Sequence, residues 1–465
     1  MRQGYRKNLR MAQRTENNDA DDSTIRSCAI ALASITDCFQ DWRLPMNVAR
    51  FLTTTVVLAS ALAAFGQERP SSTPTPLSQL LTEASANNSQ ISAANHSWQA
   101  AKQVPRQVTT LPDPTFTYQG FSVGSPKPFA GYTTSNFAYV GIGASQELPY
   151  PGKLHLRGEV AKRDADVKGT ELDATMTTVA DAVKADYLQL AYLQKTLDIL
   201  VENQRVMDQL IQDATAHYQV GQGLQEDVLQ AQVERTKIVR EITLHHEQMG
   251  QIEANLKGLL HRDQDSPDIV TEDLVESPLP PTSAELLQLV RSHNPQVQVD
   301  ASSISKQDAA LASAKREGKP DFGLAYMYQQ QDPKYPNYYM FTLNVRLPRR
   351  RRVHAEVAET AELLAQSKST LDADLQQQLA EVKRQYVTAS SDSELLREYR
   401  EGLIPQSDAA YRSTLNAYAS NRDRFTHVLL YFVNVLDLKL EYAQVLADHE
   451  TALAHLETLT GATLR

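Results

Sequence analysis

The sequence predicts a mainly α-helical protein with a small β part, built from one unit of about 200 residues written twice. Three observations predict it. The chain repeats itself at a nearly fixed offset, two long stretches in each copy carry a helical apolar period with few breakers, and short alternating runs precede a Pro-containing corner in each copy.

The repetition comes first because it sets the organisation. A shift of 206 places "NNSQ" from Asn87 over "HNPQ" from His293, Pro114 over Pro320 and Phe116 over Phe322. At 199, Leu148, Pro149, His155 and Tyr187 fall on Leu347, Pro348, His354 and Tyr386. At 200, Tyr218, Val228, Leu229 and Leu256 meet Tyr418, Val428, Leu429 and Leu456. Pro-rich segments, "RPSSTPTPL" and "ESPLPPTS", introduce each copy. The expected domains are a first repeat at 77–270 and a second at 283–462, with linkers at 67–76 and 271–282.

The N-terminus reads as a leader. Residues 46–66, "MNVARFLTTTVVLASALAAFG", combine a basic start at Arg50, an apolar stretch and small residues suited to cleavage. The alternative, a membrane anchor, needs roughly 20 apolar residues, and this stretch is shorter. Residues 1–45 lie upstream of that export signal and read as a non-native extension, with Met46 as the start. Both cysteines, Cys28 and Cys38, fall there. The mature chain then has no disulfide, thiolate metal site, Cys nucleophile or lipid-bearing N-terminal Cys.

Each copy opens with a moderate helix, at about 77–104 and 283–316. Two short strands follow, then the corner, then two long helices. Residues 171–220 contain neither Gly nor Pro, and Leu172, Met176, Val179, Val183, Tyr187 and Leu190 form one narrow stripe. A helix from Lys153 to about Ala216 would extend roughly 95 Å, which implies coiled-coil packing. Gly221 and Gly223 reverse it into a helix from about Leu224 to Leu260. The second copy runs from Val353 to about Ala419, interrupted at Pro405, and returns from Arg424 to Thr460.

The strands alternate. In "NFAYVGIGASQEL" Ala138, Val140, Ile142 and Ala144 oppose Tyr139, Gly141, Gly143 and Ser145; in "YMFTLNVRL" Tyr339, Phe341, Leu343 and Val345 oppose Met340, Thr342, Asn344 and Arg346. An apolar face backed by a small or polar one fits a membrane β-barrel strand, and equally a half-buried soluble sheet. With an export signal the barrel is preferred. Four strands cannot close a barrel in lipid, so several chains must share one.

These features together resemble the TolC-type outer-membrane efflux proteins, over nearly all of residues 77–462. "YQVGQGLQEDVLQAQ", with Tyr218, Gly221, Asp227, Val228 and Leu229, is similar to the family's hairpin tip, and "LIPQSDAAYRSTLNAY" around Pro405 to its second approach to that tip. The resemblance implies a homotrimer with a 12-stranded transmembrane β-barrel in the outer membrane of a Gram-negative-type bacterium. Its helices would form a periplasmic tunnel narrowed at the inner end. It implies a passive duct for tripartite efflux or type I secretion, with a periplasmic adaptor (membrane fusion) protein and an inner-membrane transporter such as an RND-type pump as partners.

Site expectations follow from that resemblance. Tyr218, Gly221, Gly223, Asp227, Tyr418 and Asn421 would form the adaptor-docking tips. The second tip, "YASNRDRFTHVLLYF", departs from the first: Asn421 stands where Gly221 does and His427 where Asp227 does. Relatives place acids at the positions of His427 and Leu430, so the inner constriction candidates here are Asp423, Arg424 and His427, with a surface ion pair as the plain alternative for the first two. Arg349, Arg350, Arg351 and Arg352, after the last strand, are candidates for contact with outer-membrane lipid headgroups, or a solvated start to the helix.

Chemistry of other classes is not expected. Net charge of −10 argues against a nucleic-acid partner. His245 and His246 are adjacent on a helix beside Glu247 and cannot face one another, so no metal site is read there. No phosphate loop or catalytic spacing is present, and neither an enzyme nor a cofactor is expected. The rival function is a periplasmic coiled-coil scaffold or adaptor without a barrel.

Overall fold

The computed structural model describes residues 74–122, 138–280, 282–331 and 334–462. The expected extension at 1–45, the leader at 46–66 and the first linker up to residue 73 lie outside them.

In the first copy the elements are α1 (Leu77–Asn87), α2 (Ser89–Ala101), α3 (Val104–Thr109), β1 (Thr115–Phe121), β2 (Tyr139–Leu148), α4 (Lys153–Gln219) and α5 (Gln225–Leu259). The second has α6 (Ser283–His293), α7 (Pro295–Arg316), β3 (Asp321–Gln331), β4 (Tyr338–Arg346), α8 (Arg350–Glu398), a wide π-helical turn (Tyr399–Leu403), α9 (Ile404–Ala419) and α10 (Phe425–Thr460).

Where a single opening helix was expected in each copy, the structure has a break at Asn88 and again at Asn294. Both residues leave the helical region, with ψ of 128° and 126°. The Asn88 carboxamide oxygen accepts from the N–H of Gln90 at 2.8 Å, and that of Asn294 from Val297 at 3.1 Å. Their Nδ2 groups donate to the carbonyls of Leu259 and Leu459, at 2.8 and 2.9 Å. Each asparagine therefore caps one helix and ties it to the end of the returning helix. The apolar period resumes beyond the cap, which is why periodicity alone passes over the break.

Two boundaries also shift. Helix α8 starts at Arg350, not Val353, so three arginines lie inside its first turn. The interruption at Pro405 includes the π-helical turn just upstream, because proline offers no N–H and its ring crowds the carbonyl four residues back.

The 67 residues of α4 extend about 100 Å. Val179, Val183, Tyr187 and Leu190 of its stripe are buried against Leu80, Ala84, Leu256 and Leu260, while Met176 is exposed. The second copy builds the equivalent cluster from Leu286, Val290, Val382, Ala389 and Leu456. A third cluster near the hairpin ends joins the copies: Leu200, Met207, Leu210 and Ala214 pack with Ala231, Ile238, Tyr418, Phe425, Val428 and Phe432. Each fully buried aliphatic or aromatic side chain contributes roughly 1.5–3 kcal/mol. The fold is held by three strips of core along the helices.

The connecting segment is strapped to the helices. Thr271 donates from N–H and Oγ1 to Gln194 Oε1, at 3.1 and 2.7 Å. Tyr187 donates to the Thr75 carbonyl and accepts from the Glu272 N–H. Glu450 accepts from Ser277 N–H and Oγ at 2.7 and 2.9 Å, and buried His449 sits between the carbonyls of Ala389 and Ser277.

The four strands form one antiparallel sheet in the order β1-β2-β3-β4. Phe116 pairs across to Ala144, Ala144 to Tyr326 and Tyr326 to Phe341. That register puts Phe116, Ala144, Tyr326 and Phe341, one from each strand, on the same side.

Candidate functional site

Three parts of the chain bear on function: the sheet faces, the strand-to-helix corners and the hairpin tips. On one sheet face the register aligns Phe116, Tyr118, Val140, Ile142, Ala144, Leu148, Phe322, Leu324, Tyr326, Tyr328, Tyr339, Phe341, Leu343 and Val345, interrupted by Gly120, Gln146 and Gln330. The other is mixed: Thr115, Thr117, Gln119, Gly141, Gly143, Ser145, Gly323, Gln329, Thr342 and Asn344 share it with Phe121, Tyr139, Ala325, Met327, Tyr338 and Met340, and the Phe121 and Tyr139 rings stack there. The apolar side is uncovered: Phe116 is 80 % exposed and Phe341 68 %. β1 and β4 each pair on one edge only among the described residues. An apolar face without a covering layer and two open edges suit neither water nor lipid for one chain alone.

The first corner is tightly built. Gly152 adopts φ +91°, and a Cβ there would lie 3.2 Å from Arg316 Nη2. Arg316 donates to the Pro151 carbonyl at 2.8 Å and lies over the Tyr150 ring. The next residue, Lys153, is 2 % exposed, with Nζ 2.9 Å from Asp321 Oδ1 and 3.2 Å from Glu317 Oε2. Asp321 also accepts the Tyr150 N–H at 2.9 Å. Thus the start of β3 is pinned to the start of α4. Sequence reading missed this group, because its acids lie far along the chain in the other copy.

The second corner lacks such a pin. Arg349 to Arg352 are all exposed. Arg352 pairs with Glu356 at 2.9 Å, one turn along its own helix, and Arg346 with Glu147 at 2.8 Å across the sheet.

The tips share one turn. Gly221 has φ +74° and Asn421, 200 positions on, φ +53°. The N–H of Gly221 donates to the Tyr218 carbonyl at 3.0 Å and that of Asn421 to Tyr418 at 2.9 Å. Gly223 is needed for space, since a Cβ would sit 3.1 Å from the Tyr218 N. Asn421 Nδ2 donates to Gln222 Oε1 at 3.2 Å, so the two tips touch.

The tip residues divide by burial. Tyr218, Gly221 and Asn421 are exposed, whereas Tyr418 turns inward onto Phe425 and His217. Burial, followed by the charges of Asp227 and Asp213, raises the Tyr418 phenol above its ordinary value. Asp227 is buried too and accepts the Leu224 N–H at 3.2 Å, closing the helix start. Asp423 does that work in the second tip: its Oδ1 accepts the Arg424 N–H at 2.8 Å. The acid has moved from one side of the cap to the other, leaving position 427 to a histidine.

Asp423 pairs with His427 Nδ1 at 2.7 Å. The Arg424 side chain has no ion-pair partner among the described residues, so the Asp423–Arg424 surface pair gives way to Asp423–His427. The backbone N–H of Arg424 first, then the His427 hydrogen bond and the charges of His427 and Arg424, outweigh desolvation and hold the Asp423 carboxyl below its ordinary value. Sequence reading also passed over the apolar tip surface: Val220, Leu224, Leu229 and Val233 are exposed, and the last two line an open groove of about 450 Å³ with Glu226, Glu234 and Leu429. His245 and His246 each turn back onto the carbonyl four residues earlier.

Residues 80–260 match the family model described as "Outer membrane efflux protein". No curated protein sequence matches the chain significantly. Among solved structures, the outer-membrane channel OprN superposes with a TM-score of 0.72 at 15% identity, covering 83% of this chain and 90% of that one. The outer membrane protein VceC of Vibrio cholerae gives 0.71 at 14%, covering 84% and 97%. The MtrE outer membrane channel of Neisseria gonorrhoeae, in its open state, gives 0.69 at 15%, covering 84% and 89%. The resemblance read from the repeats and the tip motif is borne out: the family model matches within the first repeat, and the solved channels share the fold over most of the chain.

Proposed function

From the premise that residues 80–260 are an outer membrane efflux protein unit, we propose that three copies of this chain close a 12-stranded barrel in the outer membrane. Their helices continue it as a periplasmic tunnel, and the whole is a passive duct for efflux. The observation that carries this is the sheet: one largely apolar, uncovered face, one mixed face with its small and polar residues, and an open edge at β1 and at β4 among the described residues. In a bilayer no backbone edge is left unpaired, so β4 of one copy must meet β1 of the next.

The finer roles belong to the same proposal. The exposed tips, Tyr218, Gly221 and Asn421 with Val220 and Leu224 and the half-buried Gly223 between them, receive a periplasmic adaptor that links to an inner-membrane transporter. Tyr418 and Asp227 shape that surface from beneath. Asp423, His427 and Arg424 line the inner constriction. Membrane extraction followed by planar-bilayer recording tests the reading. The protein should resist high salt, require detergent and then conduct ions; release by salt alone would make it a periplasmic scaffold.

A further inference from the structure

The corners at Lys153 and Arg352 occupy equivalent places, 199 positions apart, yet they treat their cations in opposite ways. Lys153 is buried between Asp321 and Glu317. At the other corner four consecutive arginines are exposed, and only Arg352 has an ion-pair partner among the described residues. Strand β4 leads into them with Tyr339, Phe341, Leu343 and Val345 on its apolar face, and Leu347, just past its end, is 74 % exposed. The apolar band thus stops at Leu347, beside Arg346, which pairs with Glu147, and the run of four arginines begins two residues later.

Helix stability does not explain the cluster. The positive end of a helix disfavours cations, and neighbouring like charges repel. Helix α8 has no acidic residue in its first turn, where α5 has Glu226 and Asp227. Glu356 answers Arg352, which leaves Arg349, Arg350 and Arg351 open to an anionic partner outside the chain.

We propose that Arg349, Arg350, Arg351 and Arg352 grip anionic phospholipid headgroups at the rim where the apolar band of the sheet ends. The charge sign, the exposure of all four side chains and the adjacency to an uncovered apolar surface fit a diffuse lipid surface. Guanidinium groups bind phosphate oxygens in pairs without a fixed cavity. The inference rests on the barrel reading above.

The test uses the full chain in nanodiscs of equal phosphatidylglycerol and phosphatidylcholine, with retained lipid counted by native mass spectrometry. Wild type should retain phosphatidylglycerol preferentially. The R349Q/R350Q/R351Q/R352Q variant should lose that preference, by up to about fivefold per arginine, and the matching all-Lys variant should keep most of it. Raising salt on the wild-type protein, which needs no variant, should erode the preference too. A glutamine variant that inserts and still prefers phosphatidylglycerol overturns the inference while leaving the barrel intact, as does a wild-type preference indifferent to salt. Failure of wild type to enter even pure phosphatidylcholine would instead bring down the barrel reading.

Discussion

The two halves of the molecule solve the same structural problems with different residues. At the turn ends, Gly221 holds the left-handed position in the first tip and Asn421 in the second; at the helix C-termini His261 holds it in the first copy and Gly461 in the second. The backbone demand is repeated, and the residue that meets it is not. At the corners the contrast is deeper, since Lys153 is enclosed by acids from the other copy while Arg352 answers only to its own helix. Duplication preserved backbone geometry, and long-range electrostatics were then settled separately in each copy.

The largest test of that contrast is Lys153→Met. It takes the buried cation from Asp321 and Glu317, which keep the Tyr150 N–H and Arg157 at 2.9 and 2.7 Å, at a cost of about 3 kcal/mol, the lower end for breaking a buried pair. The thermal midpoint of the detergent-purified protein should fall by several degrees. A midpoint equal to wild type would mean that the corner is held by packing alone.

Next in size is the tip. Gly221→Val forces a β-branched residue to positive φ, costing on the order of 1–3 kcal/mol. Efflux in cells should drop while membrane insertion persists. Gly221→Asn should be near neutral, because Asn421 already makes the same turn. If valine and asparagine behave alike, the left-handed requirement is not what shapes the tip.

What the sequence made legible followed from chain-local physics. Helix period, alternation in the strands and the Pro corners are set by neighbours within a few residues, so the order of elements was readable. Asn88 and Asn294 were not, although the Pro after Asn294 is a helix-start signal. Both sit inside an unbroken apolar pattern. Lys153 was invisible for another reason: its charge is matched by Glu317 and Asp321, which only folding brings near. Likewise the cap acid at Asp423 looked like a lost Asp227, since motif position was read and hydrogen-bond geometry was not.

A smaller effect separates the opening helices. Glu83 and Arg262 form a two-bond pair, at 2.6 and 2.5 Å, where the second copy has Leu289 and Ala462. The hydrogen bond from Arg262 first, with its charge, outweighs desolvation and holds the Glu83 carboxyl below its ordinary value of 4.5. A depressed carboxyl contributes stability that is full above 4.5 and lost as pH falls through its folded value. Hydrogen exchange in residues 77–87 should therefore quicken below about pH 4.5, with residues 283–293 unchanged. Equal quickening in both would remove the pair as its cause.

The smallest expected effect is Arg352→Gln. An exposed pair one helical turn apart contributes about 0.3–0.5 kcal/mol, so the midpoint should shift by a degree or less. A loss comparable to that of Lys153→Met would show that the second corner is pinned after all.

The central claim is that chains close a shared barrel because one chain leaves two strand edges open. Native mass spectrometry of the detergent-extracted protein tests it most directly. Three copies per particle, surviving dilution, is the predicted result; a stable monomer would contradict it.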